Sequence, residues 1–171
     1  DILNQVSMHV MRDEDNTSII EKFTEEALKI LSADFGFSFG KFDDSNKFEL
    51  IHKSPLTPFT PSIPKKKGGN QESDRKGNII FDSNVESRNY DSDMVDYLKS
   101  YLIIPIRYGD HIFGNITLCY KNKHDFTEEE LIVAEMIENV VSRAVNINWL
   151  IEKGQKSLTL AEKQKSTEVL L

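Results

Sequence analysis

Few side chains in this sequence are of the types that carry out covalent or metal chemistry. The chain has 171 residues, with one cysteine, Cys119, and four histidines. A single cysteine can form neither an intrachain disulfide nor a cysteine-only metal site, and sparse cysteine is typical of a reducing compartment. We therefore predict a cytoplasmic location and no metal centre.

Paired acidic residues are the pattern closest to a general acid–base site. The pairs are Asp43 with Asp44 and Asp91 with Asp93, and two carboxyl groups can in principle act as acid and base. Both pairs fall where a turn or a helix cap is predicted, and local hydrogen bonding explains acidic residues there. No serine elbow or glycine-rich phosphate loop accompanies them. We predict no catalytic residue and a domain that is not an enzyme.

The overall charge and the hydropathy pattern exclude two classes of partner. The formal net charge is −7 and the pI is near 5.1, whereas non-specific nucleic-acid binding needs a surplus of Lys and Arg. No apolar run approaches the roughly 18 to 20 residues that cross a bilayer. We predict no nucleic-acid partner and no direct membrane contact. In a longer protein, a membrane anchor would have to lie outside these residues.

Helical spacing and strand alternation divide the first part of the chain. Apolar residues at helical spacing predict a short helix over 1–11 and a longer one that begins at a Thr17 or Ser18 cap,. From Asp34 the period becomes two, which predicts a strand with Phe35, Phe37 and Phe39 on one face. Residues 43–46 predict a turn, and 47–54 predict the antiparallel partner strand.

The middle of the chain is irregular. Residues 55–76 hold all but one of the five prolines and no apolar periodicity. A loop of this length is either a lid over a pocket or a solvated insertion. A short strand is predicted at 78–82, and a short helix at 91–99 with Met94, Tyr97 and Leu98 on one side.

The last part carries the clearest signals. Strands are predicted at 101–107 and 111–120, joined by a tight turn at Gly109 and Asp110, with Pro105 suggesting a bulge,. Thr127 and Glu130 form a capping box, with Phe126 as a hydrophobic staple. A heptad seam that would need a partner helix then follows, at Val140, Ala144, Ile147, Ile151, Gly154, Leu158 and Ala161.

This order of elements resembles the GAF domain family. The resemblance covers about 17–146 and rests on IIFDSNVESRNY at 79–90, on YLIIPIRYGDHIFGNITLCYKNKHDFTEEEL at 101–131, and on the first long helix. It implies an α+β fold of three layers. A central antiparallel sheet of five or six strands would carry the first and last long helices on one face. Loops and short helices would cover a pocket on the other face.

The resemblance also implies an organisation and a role. Residues 1–16 would be a short helix and linker, 17–146 the GAF-like sensor domain, and 147–171 a helical, coiled-coil-like connector to a missing output domain. GAF domains of this kind occur in sensor histidine kinases of two-component systems, dimerise through their terminal helices and pass a signal along the last helix. The expected partners are a second copy of the chain and a small-molecule ligand.

The chemically distinctive GAF subtypes fit this sequence poorly. Bilin-binding members share a cysteine on a pocket-side helix. Here the cysteine, Cys119, lies in a predicted strand and is followed by Tyr120. Members that reduce methionine sulfoxide need several cysteines. For haem, only His52 and His111 remain as axial ligands, and both lie near strand ends. No covalent bilin and no haem are therefore expected, and the cofactor stays unknown.

A pocket on the sheet face opposite the helices remains the main prediction. Two alternatives stay open: a structural dimerisation module without a ligand, and a cyclic-nucleotide site suggested by Asn122, Lys123, Phe126, Glu129 and Glu130. A PAS domain is disfavoured because a full helix precedes the first strand. The candidate ligand-binding residues, about half of which would be ordinary core, are Phe37, Phe81, Tyr90, Met94, Tyr97, Ile104 and Thr117,.

Overall fold

The computed structural model describes residues 15–41, 47–67 and 74–170. The predicted helix over 1–11 and the predicted turn at 43–46 lie outside these residues. Within these residues, two α-helices, six strands and two short 3-10 helices follow one another. In order, they are α1 (Asn16–Ile30), β1 (Phe35–Gly40), β2 (Glu49–Lys53), β3 (Asp74–Lys76), β4 (Ile79–Asp82), η1 (Ser87–Asn89), η2 (Asp93–Tyr97), β5 (Ser100–Tyr108), β6 (His111–Tyr120) and α2 (Glu128–Leu170).

The six strands form one sheet in the order β2-β1-β6-β5-β4-β3. Every neighbouring pair is antiparallel, which confirms the predicted α+β class and the predicted hairpins. Gly109 has a φ of 56° in the β5–β6 turn, a left-handed conformation that glycine adopts without steric cost. The longest strands, β5 and β6, lie at the centre of the sheet.

Helix α1 begins two or three residues earlier than its sequence suggested. Asp15, rather than Thr17 or Ser18, is the cap: its carboxylate Oδ1 accepts a hydrogen bond from the Ser18 backbone N–H at 2.8 Å. Asp and Ser are equally good N-cap residues, so the backbone conformation decides between them. Asp15 has the extended backbone that an N-cap requires. The predicted apolar stripe of α1 is buried, including Ile19, Ile20 and Phe23.

Strand alternation separates the interior into two cores. The helix-side core lies between the sheet and both helices and includes Leu102, Ile104, Ile116 and Leu118. The opposite-face core lies on the other side of the sheet. It consists of Phe35, Phe37, Val85, Tyr90, Met94, Val95, Leu98, Tyr101, Ile103 and Cys119.

The backbone of Arg107 in β5 attaches the sheet to α2. Its N–H donates to Ser142 Oγ at 2.9 Å, and its carbonyl accepts from Asn146 Nδ2 at 2.9 Å. The register of β5 against β6 shifts at the same point, between Ile106 and Arg107, because Phe113 of β6 is an extra residue there,. The bulge suggested by Pro105 therefore lies in this hairpin, but on the partner strand.

The capping box at the start of α2 is confirmed. Thr127 Oγ1 accepts from the Glu130 N–H at 3.1 Å, and Glu130 Oε1 accepts from the Thr127 N–H at 3.0 Å. From this cap the helix continues for 43 residues. Within the described part of the chain, neither α-helix is both long and apolar enough to cross a membrane.

Two predictions in the middle of the chain need correction. The end of the predicted loop 55–76 is strand β3, which pairs with β4. Its sequence, Asp-Arg-Lys, has no apolar alternation because it is an exposed edge strand, where charged residues are common,. The predicted helix at 91–99 is the 3-10 turn η2, and Tyr97 does not share the buried side of Met94 and Leu98 because it is 53% exposed.

Candidate functional site

The sheet face opposite the helices is covered by the residues that follow it in the chain. Residues 54–67, which we call the strap, cross this face, and η1 and η2 lie beside them. Lys66 of the strap forms an isolated antiparallel bridge with Tyr90, and Ser62 Oγ lies 3.1 Å from Ser92 Oγ. The cover therefore consists of two chain segments that are joined to each other.

Four of the seven predicted ligand-binding residues belong to this face. Phe37, Tyr90 and Met94 are buried in the opposite-face core. Thr117 is fully buried and lies on the same face, between Ile116 and Leu118, which point towards the helices. Tyr97 is at the rim, where its ring lies 5.8 Å from that of Phe59.

Two of the predicted residues lie on the wrong side of the sheet. Ile104 is fully buried in the helix-side core, and Phe81 packs against that core with its ring 5.5 Å from Phe126. Both come from runs that are apolar on both faces, so alternation within the run does not reveal which residues face which side. The structure does not bring these two together with the others.

Sequence reasoning missed Phe59. This strap residue places its ring 5.5 Å from Phe35 and 5.9 Å from Phe37, in edge-to-face contact with both. It is the one aromatic residue of the proline-rich strap, which is the signal that could have drawn attention to it. Phe59 thus fills part of the face where a guest was predicted.

A polar cluster closes one end of the face. Tyr90 donates a short hydrogen bond to Asp82, and the Tyr90 and Tyr101 hydroxyl oxygens are 3.1 Å apart. Lys66 Nζ lies 3.8 Å from Asp82 Oδ2. Burial, followed by the bonds to Asp82 and Tyr101, raises the pKa of Tyr90 far above its usual value. The Tyr90 phenol therefore stays protonated and acts as a structural hydrogen-bond donor.

Two open clefts lie along the strap. The larger has a volume of about 450 Å³ and is lined by Phe39, Phe48, Pro61, Ser62, Ile63, Lys65, Asp91 and Ser92. The smaller, of about 390 Å³, is more polar and includes Lys67, Arg88, Tyr90 and Asp96. Apart from Tyr90, neither cleft is lined by a predicted residue, because the strap has replaced open space over the middle of the sheet.

Cys119 lies on the same face in a position that disfavours reaction. It is fully buried in the opposite-face core, and burial raises the pKa of its thiol. Because the thiolate is the nucleophilic form, a buried cysteine with a raised pKa behaves as a small apolar residue.

Two histidines contact carboxylates of the helices. His52 Nε2 lies 2.7 Å from Glu25 Oε1 on α1. His124 Nε2 lies 2.7 Å from Glu130 Oε2 on α2, and its ring stacks on Tyr120 at 4.3 Å. Burial alone would raise the pKa of Glu130, but hydrogen bonds from Thr127 and His124 outweigh it and lower that pKa. Among the described residues, no group of three or more His, Cys, Asp or Glu side chains could hold a metal ion.

A three-layer α+β domain with a covered face opposite its terminal helices is the class that this geometry defines. Residues 13–146 match the family model described as the GAF domain. The chain therefore belongs to the GAF domain family. No curated protein sequence matches it.

Solved GAF domains share the fold at low sequence identity. The phycoerythrobilin-bound GAF domain of a cyanobacterial phytochrome is 20% identical, with a TM-score of 0.61 over 88% of this chain and 96% of that one. The GAF domain of a two-component sensor histidine kinase from Bacillus halodurans is 18% identical, with a TM-score of 0.56 over 79% and 96%. The second GAF domain of DevS from Mycobacterium smegmatis is 18% identical, with a TM-score of 0.55 over 84% and 99%.

Proposed function

We propose that this chain is the sensory domain of a signal-transduction protein, in which a small molecule on the strap-covered face changes the packing of a dimeric exit helix. The output would be that of a sensor histidine kinase. Membership of the GAF family and the likeness to the GAF domain of a two-component sensor histidine kinase from Bacillus halodurans support this class of protein. The chain itself would sense and relay, and would catalyse nothing.

The observation that carries the proposal is the change in exposure along α2. Ala144 and Val145 are fully buried against the domain, whereas Ile147 and Ile151 are each 38% exposed and Leu158 is 66% exposed. These exposed residues belong to the predicted heptad seam. An apolar seam that stays exposed along a long helix favours a partner helix, and a second copy of the chain is the simplest partner.

The contacts of β5 supply a route from the covered face to this helix. Tyr101 and Ile103 of β5 lie in the opposite-face core, and the backbone of Arg107 in the same strand is hydrogen-bonded to Ser142 and Asn146 of α2. A guest that shifts β5 would therefore shift α2 as well. A ligand of this kind would act by favouring one of two packings of the helices.

Sedimentation of matched helix variants tests the dimeric relay. Leu158 and Leu160 are 66% and 61% exposed, but only Leu158 belongs to the seam. We expect the wild type and Leu160→Glu to sediment as dimers and Leu158→Glu to sediment as a monomer, because a charge in a packed seam is not solvated. A monomeric wild type, or equal behaviour of the two variants, would contradict the proposal.

Thermal shift tests the sensory part. Nucleotides, nitrate, amino acids and haem would each be titrated against the folded chain. A ligand that binds only the folded state stabilises it by about 2.7 kcal/mol at a hundred times its Kd. No shift with any compound would favour the second candidate below.

A structural dimerisation module without a ligand is the second candidate function. The opposite-face core favours it, because Phe37, Tyr90 and Met94 are each at most 3% exposed and are covered by the chain's own side chains. In that case the strap would be a permanent cover. The two candidates differ in whether the strap can be displaced.

A further inference from the structure

The first end of the strap is hydrogen-bonded to β1. The Ser54 N–H donates to the Gly36 carbonyl at 2.8 Å, and Ser54 Oγ accepts from the Gly36 N–H at 3.0 Å. Thr57 Oγ1 lies 3.0 Å from Ser54 Oγ. Ser54 and Thr57 are both buried, so this end is a fixed anchor on the edge of the covered face.

The second end is tied to the segment around η1. The Lys67 N–H donates to the Asn89 carbonyl at 2.8 Å, and the Asp91 N–H donates to the Lys65 carbonyl at 3.0 Å. With the ion pair between Lys66 and Asp82, these contacts make a second anchor. The strap is therefore held at both ends.

Between the anchors the backbone is stiff but weakly held. Proline occurs at every third position, at Pro55, Pro58, Pro61 and Pro64. Each proline fixes its φ and removes a backbone donor. Among the described residues, no backbone–backbone hydrogen bond involves residues 58–64. The middle of the strap can thus move as a preformed unit without breaking a ladder of hydrogen bonds.

Phe59 and Ile63 of this middle section pack against the opposite-face core, and Phe59 makes the aromatic contacts. It meets Phe35 and Phe37 edge-to-face and lies 5.8 Å from Tyr97 at the rim. Edge-to-face contact depends on the charge distribution of aromatic rings and is available to any planar aromatic group. The position that Phe59 occupies therefore suits an aromatic guest.

Space and polar groups lie one side chain away from this position, because Phe39, which lines the larger cleft, has its ring 5.9 Å from that of Phe37. The 450 Å³ cleft is bounded by Pro61, Ser62 and Ile63 of the strap, and its polar lining is Ser62, Lys65, Asp91 and Ser92. Its volume falls in the range of about 300 to 1,000 Å³ that is usual for small-molecule sites. A guest whose ring replaced Phe59 would have room for a polar substituent beside these residues.

We infer that Phe59 is an internal competitor for ligands that carry a planar aromatic group. Such a ligand binds by displacing the Phe59 ring from Phe35, Phe37 and Tyr97, while the strap pivots between its anchors at Ser54 and Lys66. The inference rests on the proposed sensory function and names the ligand class for it. Occupancy by the chain's own ring is then the ligand-free state of the sensor.

Removal of the competing ring is the first test. Indole would be titrated into Phe59→Ala, wild type and the control Leu56→Ala, with binding followed by chemical-shift changes of the Thr117 methyl group. Leu56 is also in the strap but is 73% exposed. We expect Phe59→Ala to bind indole at least tenfold more tightly than wild type, Leu56→Ala to behave as wild type, and cyclohexanol to bind none of them. Equal indole affinity in Phe59→Ala and wild type would overturn the inference.

A locked strap is the second test, and it decides the matter if Phe59→Ala does not fold. Because Ser62 Oγ and Ser92 Oγ are 3.1 Å apart, cysteines at these two positions suit the short Cβ separation of a disulfide. We expect the oxidised Ser62→Cys/Ser92→Cys variant to lose indole binding and to regain it on reduction. Undiminished binding in the oxidised form would show that the strap does not have to move.

The outcomes separate this inference from the proposed function. A compound that stabilises the oxidised and reduced variants equally would refute the strap mechanism and leave ligand sensing intact. Monomeric sedimentation of the wild type would refute the dimeric relay and leave the indole result unaffected.

Discussion

Asn148 of α2 donates a hydrogen bond to Asn16 of α1, with Nδ2 and Oδ1 3.0 Å apart. The two residues are separated by almost the whole domain in sequence, and each is only 6% exposed. Burying an amide that is hydrogen-bonded costs little free energy, whereas a buried amide without its partner destabilises the fold. This pair therefore fixes how the two terminal helices lie against each other.

Loss of this contact should destabilise the domain. For Asn148→Ala we expect the free energy of unfolding in urea to fall by about 1 to 3 kcal/mol, because the Asn16 oxygen loses its donor in a buried place. The control is Asn139→Ala on the exposed side of the same helix, where the change should stay within about 0.5 kcal/mol. Equal effects of the two substitutions would show that the buried pair is unimportant.

Loss of the capping box should weaken the start of α2. Thr127→Ala removes the oxygen that accepts from the Glu130 N–H, and we expect a loss of about 0.5 to 2 kcal/mol in unfolding free energy. Thr127→Ser retains the hydroxyl and should stay close to the wild type. If the serine variant is as unstable as the alanine variant, the threonine methyl group rather than the cap is responsible.

Two Gly→Ala substitutions should act in opposite directions. A Cβ at Gly114 would lie 2.2 Å from the Phe39 carbonyl oxygen, whereas a Cβ at Gly154 would meet nothing within 4 Å. Gly154→Ala should stabilise the helix by about 0.5 to 1 kcal/mol. Gly114→Ala should destabilise by about 1 to 3 kcal/mol, because the backbone of β1 must move. Thermal unfolding of both variants checks the contrast, which fails if both shift the same way.

The raised pKa of Glu138 should appear in the pH dependence of stability. Burial raises the pKa of this carboxyl above its usual value, although the hydrogen bond from Asn78 and the charge of Arg107 act the other way. The folded state therefore holds its proton to higher pH than the unfolded state does. As the pH rises from the usual carboxyl pKa through the raised one, this group lowers the stability of the fold.

Glu138→Gln removes this penalty and preserves an oxygen acceptor for Asn78. We expect the variant to be more stable than wild type at pH 7, and the difference to disappear below the usual carboxyl pKa. Urea unfolding at a series of pH values measures it. Glu152→Gln, at an exposed position on α2, controls for the loss of one negative charge. A difference that does not change with pH would contradict the prediction.

Local signals in the sequence were sufficient for the helices and most of the sheet. The capping box of Thr127 and Glu130 is readable because all of its atoms come from four consecutive residues. The cap of α1 was placed two residues late because Asp15, Thr17 and Ser18 are all good caps, and only the backbone decides among them. Strand β3 was missed because its charged residues form an exposed edge.

The covered face was harder to predict, because it depends on which side of the sheet each residue faces. In β1 the alternation of phenylalanine with glycine and serine settles this for Phe37. In β5 it does not, since Leu102, Ile103 and Ile104 are all apolar and both faces are buried. The position of Phe59 follows from how the strap crosses the sheet, which is a tertiary property without a periodic signal.

The attachment of α2 to the backbone of Arg107 has a mechanical consequence. From Ser142 to Leu170 the helix runs about 42 Å, at about 1.5 Å per residue. A tilt of roughly 5° about this attachment would therefore move the far tip sideways by roughly 4 Å. A small rearrangement of the sheet at this pair of hydrogen bonds would therefore become a displacement of several ångström at the far end of α2.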